Sequence, residues 1–142
     1  MPDIVHQLRA MTVELNLLAS DFAAANELHA TDLRAIIELL DAERAGVVAT
    51  PTWLGERLRL NSATVTALID RLERMGHVQR ERDPSDRRKV MLVVTDTAKQ
   101  LGLAFFGPLI GRIMRAMSDF TPAETATIDR FMTRIASEIH SL

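Results

Sequence analysis

The sequence predicts a mainly helical protein with one small β-hairpin. Apolar residues recur at steps of three and four over most of the chain, which is the spacing of amphipathic helices. A single stretch rich in β-branched residues interrupts that spacing in the second half. The 142 residues include no Cys and are 47% hydrophobic and 25% charged, a composition typical of one folded domain without disulfides. These observations predict a helical domain that carries a hairpin.

The first part of the chain predicts two helices. Over residues 4–25, apolar side chains repeat at steps of four and three from Ile4 to Phe22, forming a seam that suits packing against another helix. The second helix is expected to begin with Thr31 as its cap and to end at Gly46. Both helices therefore present one apolar side.

Two short helices are predicted next, between residues 50 and 76. Thr50 and Thr52 are both candidate caps for the first of them. The sequence "LRLNS" then breaks the helical spacing, and either Asn61 or Ser62 can cap the second helix. A short helix, a turn and a second helix form the helix-turn-helix arrangement.

The helical spacing then gives way to a predicted β-hairpin. Residues 77–82 ("HVQRER") and 89–94 ("KVMLVV") are predicted strands, the second rich in β-branched side chains. Between them, residues 83–88 ("DPSDRR") supply the Asp-Pro and Ser-Asp pairs that favour turns. A hairpin directly after a helix-turn-helix is a wing, and the tip of this wing is basic.

Two long helices are predicted after the hairpin. Thr95 is a candidate cap for the first, whose interior contains Pro108, so we expect a kink there. Residues 121–124 ("TPAE") form a capping box that begins the last helix. With the seam of residues 4–25, these helices offer more apolar surface than one small winged domain can cover. We therefore expect a homodimer, since two-fold dimers are the commonest oligomers.

Charge is distributed unevenly along the chain. The formal net charge is −2, but residues 51–95 contain nine basic and six acidic residues, a local balance of +3. A locally basic segment is suited to a polyanion such as nucleic acid. The structural alternative is a solvated charged face without a ligand, which charge counts alone do not exclude.

The stretch "NSATVTALIDRLERMGHVQRERDPSDRRKVMLVVTDTA", residues 61–98, resembles the MarR family of winged-helix transcription regulators. It is similar to the family's recognition helix, its wing and the strand that follows. Ala98 stands where the family often has Gly, which predicts a firmer helix start. The resemblance implies a single MarR-type domain over residues 1–142. Within it, residues 30–95 would form the winged helix-turn-helix, and residues 1–28 and 96–142 the helical dimerisation part.

The resemblance places the helix of residues 62–75 in the major groove of DNA, which is wide enough to admit one helix. Its first turns expose small and hydroxyl side chains that can approach base edges and phosphates: Ser62, Ala63, Thr64 and Thr66. Ser and Thr at a helix start also serve as ordinary caps, and this alternative gains support if the helix is taken alone. The basic hairpin beside it favours DNA binding.

The wing of residues 83–88 would reach an adjacent minor groove, where concentrated negative potential attracts arginine. Arg87 is the first candidate for insertion. Arg88 either contacts phosphate or pairs with Asp83 or Asp86 to hold the tip in shape, and the sequence leaves open which arginine points outward.

Further phosphate contacts are expected from Thr52, Arg71 and Arg74. Arg80 and Arg82 also fit phosphate binding, although strand alternation can turn one of them toward an acidic neighbour. Trp53 is expected in the core rather than stacked on a base.

Family resemblance also implies a ligand-responsive regulator, usually a repressor, that binds a pseudo-palindromic operator and a small aromatic effector. His29, Trp53, Met11 and Phe22 are candidate pocket residues, but ordinary packing explains each of them equally well. The absence of Cys argues against thiol-based peroxide sensing.

Other classes of function have less support. The chain lacks nucleophile-elbow, phosphate-loop, metalloprotease and dithiol motifs, so an enzyme is not expected. We expect neither a metal nor a cofactor, although a composite site built from the four dispersed His residues stays an alternative. A winged-helix module for a protein partner is a second alternative, and its basic wing weighs against it. No signal-peptide or membrane-span pattern is seen, so we expect a cytoplasmic protein without membrane contact.

Overall fold

The computed structural model describes residues 2–142, which form helices and one antiparallel two-stranded sheet. In chain order the elements are α1 (Pro2–Ala25), α2 (Ala30–Arg44), α3 (Pro51–Leu58), α4 (Ser62–Arg74), β1 (Val78–Arg82), β2 (Val90–Val94), α5 (Asp96–Met117) and α6 (Pro122–His140). The expected class, mainly helical with one hairpin after a helix-turn-helix, is confirmed. The chain divides into two compact units, the first ending at Phe105 and the second beginning at Phe106.

The core of the first unit lies where α2, α3, α4 and the hairpin meet. Its most completely buried apolar side chains come from all of these elements and include Ile36, Leu54, Leu68, Leu72 and Val78. Burying a side chain of this kind contributes about 1.5–3 kcal/mol relative to leaving it in water. The helix pair and the hairpin are therefore held by one shared core, which fixes where α4 presents its outer face.

Caps define where the helices of the first unit begin. The sequence predicted Thr31 as the cap of α2, and this prediction is wrong. His29 takes that position, because the Asp32 carboxylate accepts the His29 backbone N–H at 2.9 Å and closes a capping box. Of the open pairs, Thr50 caps α3 and Asn61 caps α4, so that Thr52 and Ser62 lie inside their helices.

The turn between α3 and α4 is tight because Gly55 has no side chain. A Cβ at Gly55 would lie 3.1 Å from Val65 Cγ2 and 3.2 Å from the Leu60 carbonyl oxygen. Gly46 and Gly76 follow α2 and α4 with positive φ angles, a conformation that glycine adopts without steric cost. Sequence reasoning had placed helix ends at both of these glycines.

The hairpin pairs Val78 with Val94 and Arg82 with Val90 at its two ends. Its second strand is also tied to the helical part, since the Leu92 backbone N–H donates to the Ala49 carbonyl oxygen at 2.8 Å. At its base, the Thr95 hydroxyl donates to the Gly76 carbonyl oxygen. These bonds anchor the wing at its base, while its tip projects beyond them.

The second unit contains the end of α5 and all of α6. α5 continues through Pro108 as one helix, and the expected capping box at Thr121 and Glu124 is present. No residue of α6 is buried, and its large apolar side chains are substantially exposed: Ile128, Phe131, Met132 and Ile139. Within residues 2–142, no helix is long and apolar enough to cross a membrane.

Candidate nucleic-acid interface

The first turn of α4 is an exposed, capped helix start. The Asn61 side chain accepts the Thr64 backbone N–H at 2.8 Å, and the Asn61 carbonyl oxygen accepts the Val65 N–H at 3.0 Å. Among the described residues, the backbone N–H groups of Ser62 and Ala63 have no acceptor. Free N–H groups at a helix start favour an anion, and here they lie in solvent.

The exposed face of α4 carries the side chains that the sequence had assigned to DNA. Ser62, Ala63, Thr64 and Thr66 are all exposed, whereas Val65 between them is buried. The Thr66 hydroxyl donates to the Ser62 carbonyl oxygen at 2.9 Å, so its lone pairs are left to accept from a base or a water. The side chains of this face are therefore small and polar, and the opposite side of α4 is buried and anchors the helix.

The wing tip is a self-supporting turn between β1 and β2. The Asp83 carboxylate accepts from the Ser85 backbone N–H at 2.8 Å and from the Ser85 hydroxyl at 2.7 Å. The hydroxyl bond lowers the pKa of Asp83 below its usual value. The Asp86 carboxylate likewise accepts the Arg88 backbone N–H at 3.0 Å. The two acidic side chains of the tip are thus engaged with the turn and its Ser85 hydroxyl.

The guanidiniums of the wing tip have no ion-pair partners in the described chain. Arg87 and Arg88 are both exposed, and within residues 2–142 neither forms an ion pair. The predicted alternative of a side-chain pair between Arg88 and Asp83 or Asp86 is therefore absent from this structure. Arg82 supports the tip instead, donating from Nη1 to the Arg87 carbonyl oxygen at 2.9 Å.

Arg71 has a different setting from the one expected of a phosphate contact. Its Nη2 and Nε lie 2.6 and 2.9 Å from Oδ1 of Asp32, whose side chain is 1% exposed. The pair links the last turn of α4 to the first turn of α2. The structure thus gives Arg71 a structural partner, and only its Nη1 has no partner in the described part of the chain.

Arg80 also has acidic partners, which decides one of the open alternatives. Its guanidinium bridges two carboxylates of α4, with Nη2 2.6 Å from Asp70 and Nη1 2.9 Å from Glu73. This contact ties β1 to α4 and offsets part of the negative charge on that helix. Arg74, in contrast, is exposed and has no ion-pair partner among the described residues, so it stays a predicted phosphate contact.

Thr52 lies in a surface groove of about 380 Å³ between α3 and α4 that Ser62 and Thr66 also line. The same groove is lined by Arg59, a residue that sequence reasoning had not assigned to any role. The signal for it was the "LRLNS" break, which had been interpreted only as a turn. Three predicted contacts and one unassigned arginine therefore share one groove.

His77 is a buried polar residue behind α4. Its side chain is almost fully buried, and among the described residues Nδ1 has no hydrogen-bond partner. Burial lowers the pKa of His77 below its ordinary value, and the negative charge of Asp32 opposes part of that shift. Burial therefore disfavours the protonated form of His77, which lies near the Asp32 carboxylate.

The residues proposed for an effector pocket have different surroundings. His29 and Met11 are exposed, whereas Trp53 packs against the core, as expected. The Phe22 ring lies 4.8 Å from the Phe105 ring, centroid to centroid. Within residues 2–142, no three or more His, Asp or Glu side chains cluster in a way that could hold a metal ion.

Part of the chain matches a known protein family. Residues 39–90 match the model of the MarR family. The uncharacterized HTH-type transcriptional regulator YcgE of Bacillus subtilis (strain 168) is 39% identical over 83 residues, which cover 58% of this chain and 54% of that protein. The chain thus spans about half the length of the curated relatives it matches.

Solved structures show the same fold. A MepR mutant from a multidrug-resistant S. aureus clinical isolate is similar with a TM-score of 0.79 and 18% identity, over 96% of each chain. A second MepR mutant, solved bound to an oligodeoxyribonucleotide, has a TM-score of 0.64 and 18% identity, over 96% of this chain and 97% of that one. With the family match, these likenesses confirm the winged helix-turn-helix interpretation.

Proposed function

We propose that this chain is a transcriptional regulator of the MarR family of winged helix-turn-helix proteins and that it binds double-stranded DNA sequence-specifically. The observation that carries the proposal is the wing tip. Its two exposed guanidiniums have no ion-pair partner in the described chain, while its carboxylates are bound within the turn. Unpaired arginines on a projecting hairpin suit a polyanion.

In the proposed complex, α4 enters the major groove and the wing enters an adjacent minor groove. The small exposed side chains at the start of α4 would let the helix approach base edges. Arg87 or Arg88 would lie in the minor groove, where narrow width concentrates negative potential. Thr52 and Arg74 would contact phosphates, and Arg71 would do so only through its unpaired Nη1.

A homodimer is part of the same proposal, because two helices expose apolar seams. On α1, side chains one or two turns apart are about half exposed: Ile4, Met11, Leu15 and Leu18. On α6 the exposed apolar face contains Phe131 and Met132. A two-fold dimer would cover such seams and place two recognition helices about 34 Å apart, on a pseudo-palindromic operator.

The family resemblance further suggests a cytoplasmic repressor that a small aromatic effector releases from DNA. An effector releases DNA only if it prefers one arrangement of the dimer over another. No residue is assigned to the effector, because the four candidates have different surroundings in the described chain.

The test of DNA binding is a selection of bound sites from random duplex DNA. It is run in parallel with the wild-type protein and with a double variant, Arg87→Ala with Arg88→Ala. We expect the wild type to recover a two-fold-symmetric site and the double variant to lose or blur it. Affinity for that site should fall with salt with a log–log slope of about −0.9 per phosphate contact.

A lack of enrichment by the wild type at low salt would contradict the proposal. Binding of a protein partner that hardly depends on salt would then favour the rival function, a winged-helix protein module. Arg44→Ala is a suitable control variant, because Arg44 lies in the last turn of α2 and pairs with its neighbour Asp41. This variant should recover the same site as the wild type.

The dimer is tested by analytical ultracentrifugation at micromolar concentration. The wild type should sediment as a dimer, and Met132→Glu should shift it toward monomer because a charge would enter the apolar seam. Ser137→Glu is the matched control, since helical spacing puts residue 137 on the opposite side of α6. A monomeric wild type would overturn this part of the proposal.

A further inference from the structure

Arg59 has a backbone conformation that its own side chain makes costly. It is the residue after α3, and its φ and ψ of 56° and 46° lie in the left-handed region. Its N–H caps the helix by donating toward the Glu56 carbonyl oxygen at 3.3 Å, and the next N–H, of Leu60, donates to the Gly55 carbonyl oxygen at 2.9 Å. Glycine is the usual residue at such a helix end, because it has no Cβ to clash.

Of the other helices that end in this way, α2 and α4 have glycine at the equivalent position, whereas α1 has Glu27. Gly46 after α2 and Gly76 after α4 have φ angles of 70° and 79°. At Arg59 the chain instead carries a long cation in a strained position. A residue that breaks a local rule without a packing benefit often serves a function.

The Arg59 guanidinium has no stabilising partner within the described chain. The side chain is exposed, and among residues 2–142 it forms neither an ion pair nor a side-chain hydrogen bond, although Glu56 lines the same groove. Arg57, two residues earlier, shows what a structurally used arginine looks like here, with Nε 2.9 Å from Glu38. A partner outside this chain would therefore explain why residue 59 carries a positive charge.

The groove indicates what that partner is. Arg59 lines it together with Thr52, Ser62 and Thr66, all predicted DNA contacts. A cation at the turn between the two helices lies beside the recognition helix and not on its outer face. Beside the helix it can reach phosphates but not base edges. We propose that Arg59 binds a backbone phosphate of the DNA, next to the start of α4. This inference rests on the proposed DNA-binding function.

A phosphate contact predicts a specific pattern of change in Arg59→Gly. Binding to a labelled duplex of mixed sequence should weaken roughly 3- to 10-fold at about 100 mM salt, and the log–log salt slope should become shallower by about 0.9. The loss should be the same on a selected operator and on mixed-sequence DNA, because phosphates carry no sequence information. The melting temperature should stay the same or rise, since glycine relieves the strain.

Three further variants isolate the guanidinium. Arg59→Lys keeps the charge and should keep the wild-type slope. Arg59→Asn tolerates the left-handed conformation without charge and should behave like Arg59→Gly, which guards against an effect of glycine flexibility. Glu27→Gly is the matched control, because Glu27 also has a positive φ, of 58°, but carries no positive charge. It should melt no lower than wild type and bind DNA no more weakly.

The outcomes separate the two hypotheses. Wild-type binding with an unchanged affinity and slope in Arg59→Gly would overturn the role of Arg59 and leave the DNA-binding function intact. A loss confined to the selected operator would overturn the phosphate assignment in favour of base contact. A wild type that binds no duplex at about 50 mM salt would remove the DNA-binding proposal and this inference together.

Discussion

The arginines that form ion pairs with or from α4 and the arginines at the wing tip are close in sequence but are used in opposite ways. Arg71 and Arg80 donate to carboxylates at 2.6 Å and connect α4 to α2 and to β1. Arg87 and Arg88 are exposed without ion-pair partners in the described chain. Within one basic segment, arginines that have carboxylate partners therefore have to be distinguished from arginines that have none. Paired arginines determine where the recognition helix lies, and unpaired ones are available to a ligand.

The largest expected effect comes from breaking the Arg71–Asp32 pair. Arg71→Ala leaves a carboxylate that is almost fully buried without its counter-charge, which should cost about 3 kcal/mol of unfolding free energy. Urea denaturation measures this change. Arg74→Ala is the matched control, an exposed arginine on the same helix without an ion pair, and should change stability by less than about 0.5 kcal/mol. Equal, small losses of unfolding free energy in both variants would show that Arg71 is not needed for stability and is available to a ligand.

The second effect is a dependence of stability on pH through His77. Burial holds its folded-state pKa below the ordinary value of 6.5, so the unfolded chain binds the proton more readily. Stability from this source is complete above about pH 6.5 and is lost as the pH falls through the folded-state pKa. Melting temperatures between about pH 8 and pH 5 should therefore drop more steeply in the wild type than in His77→Gln.

The comparison with His77→Gln isolates one group, because the exposed residues His6, His29 and His140 are present in both proteins. The Asp32 charge reduces the shift without reversing its sign. Parallel dependences of melting temperature on pH in the two proteins would show that the pKa of His77 is the same in the folded and unfolded states.

A smaller effect is expected from the partly exposed cluster of Arg80, Asp70 and Glu73. Arg80→Ala should cost about 1 kcal/mol or less, because ion pairs near solvent contribute little. Its second consequence is electrostatic, since two uncompensated carboxylates on α4 would repel DNA. We expect weaker binding to any duplex, measured by fluorescence anisotropy. An unfolding cost near that of Arg71→Ala would erase the distinction between the buried and the partly exposed pair.

The sequence predicted most of the fold because the fold follows local spacing. The helix pair, the hairpin and the capping box at Thr121 were all readable from periodicity and turn chemistry. The cap of α2 was wrong for a physical reason. Thr31 has the favoured side chain, but the Asp32 carboxylate reaches back to the His29 N–H, and that bond moves the start of the helix to Ala30.

The candidate site was less predictable, because its arginines are sorted by contacts between distant parts of the chain. Asp32 and Arg71 are 39 residues apart, and nothing in the local pattern of either one reveals the other. Tertiary packing likewise explains Gly102, where a Cβ would lie 2.7 Å from Leu40 Cδ1. Arg59 was missed because a left-handed φ at a non-glycine residue is not visible in a sequence.

The smallest expected change in stability belongs to the wing tip. Arg87→Ala with Arg88→Ala should leave the unfolding free energy within about 0.5 kcal/mol of wild type, because neither guanidinium has an ion-pair partner in the described chain. Arg82→Ala provides the contrast, since it removes the 2.9 Å bond from Nη1 to the Arg87 carbonyl oxygen. It should raise amide hydrogen exchange at the tip, whereas the double variant should not.

This last pair of variants separates holding the tip from using it. If the double variant destabilises the protein by more than about 1 kcal/mol, its guanidiniums belong with Arg71 and Arg80, and the division by partner fails. If it keeps full stability and tip protection but loses DNA affinity and salt dependence, the tip is held by Asp83, Asp86 and Arg82 alone. The free arginines then act only toward DNA, which is the use that their lack of ion-pair partners predicts.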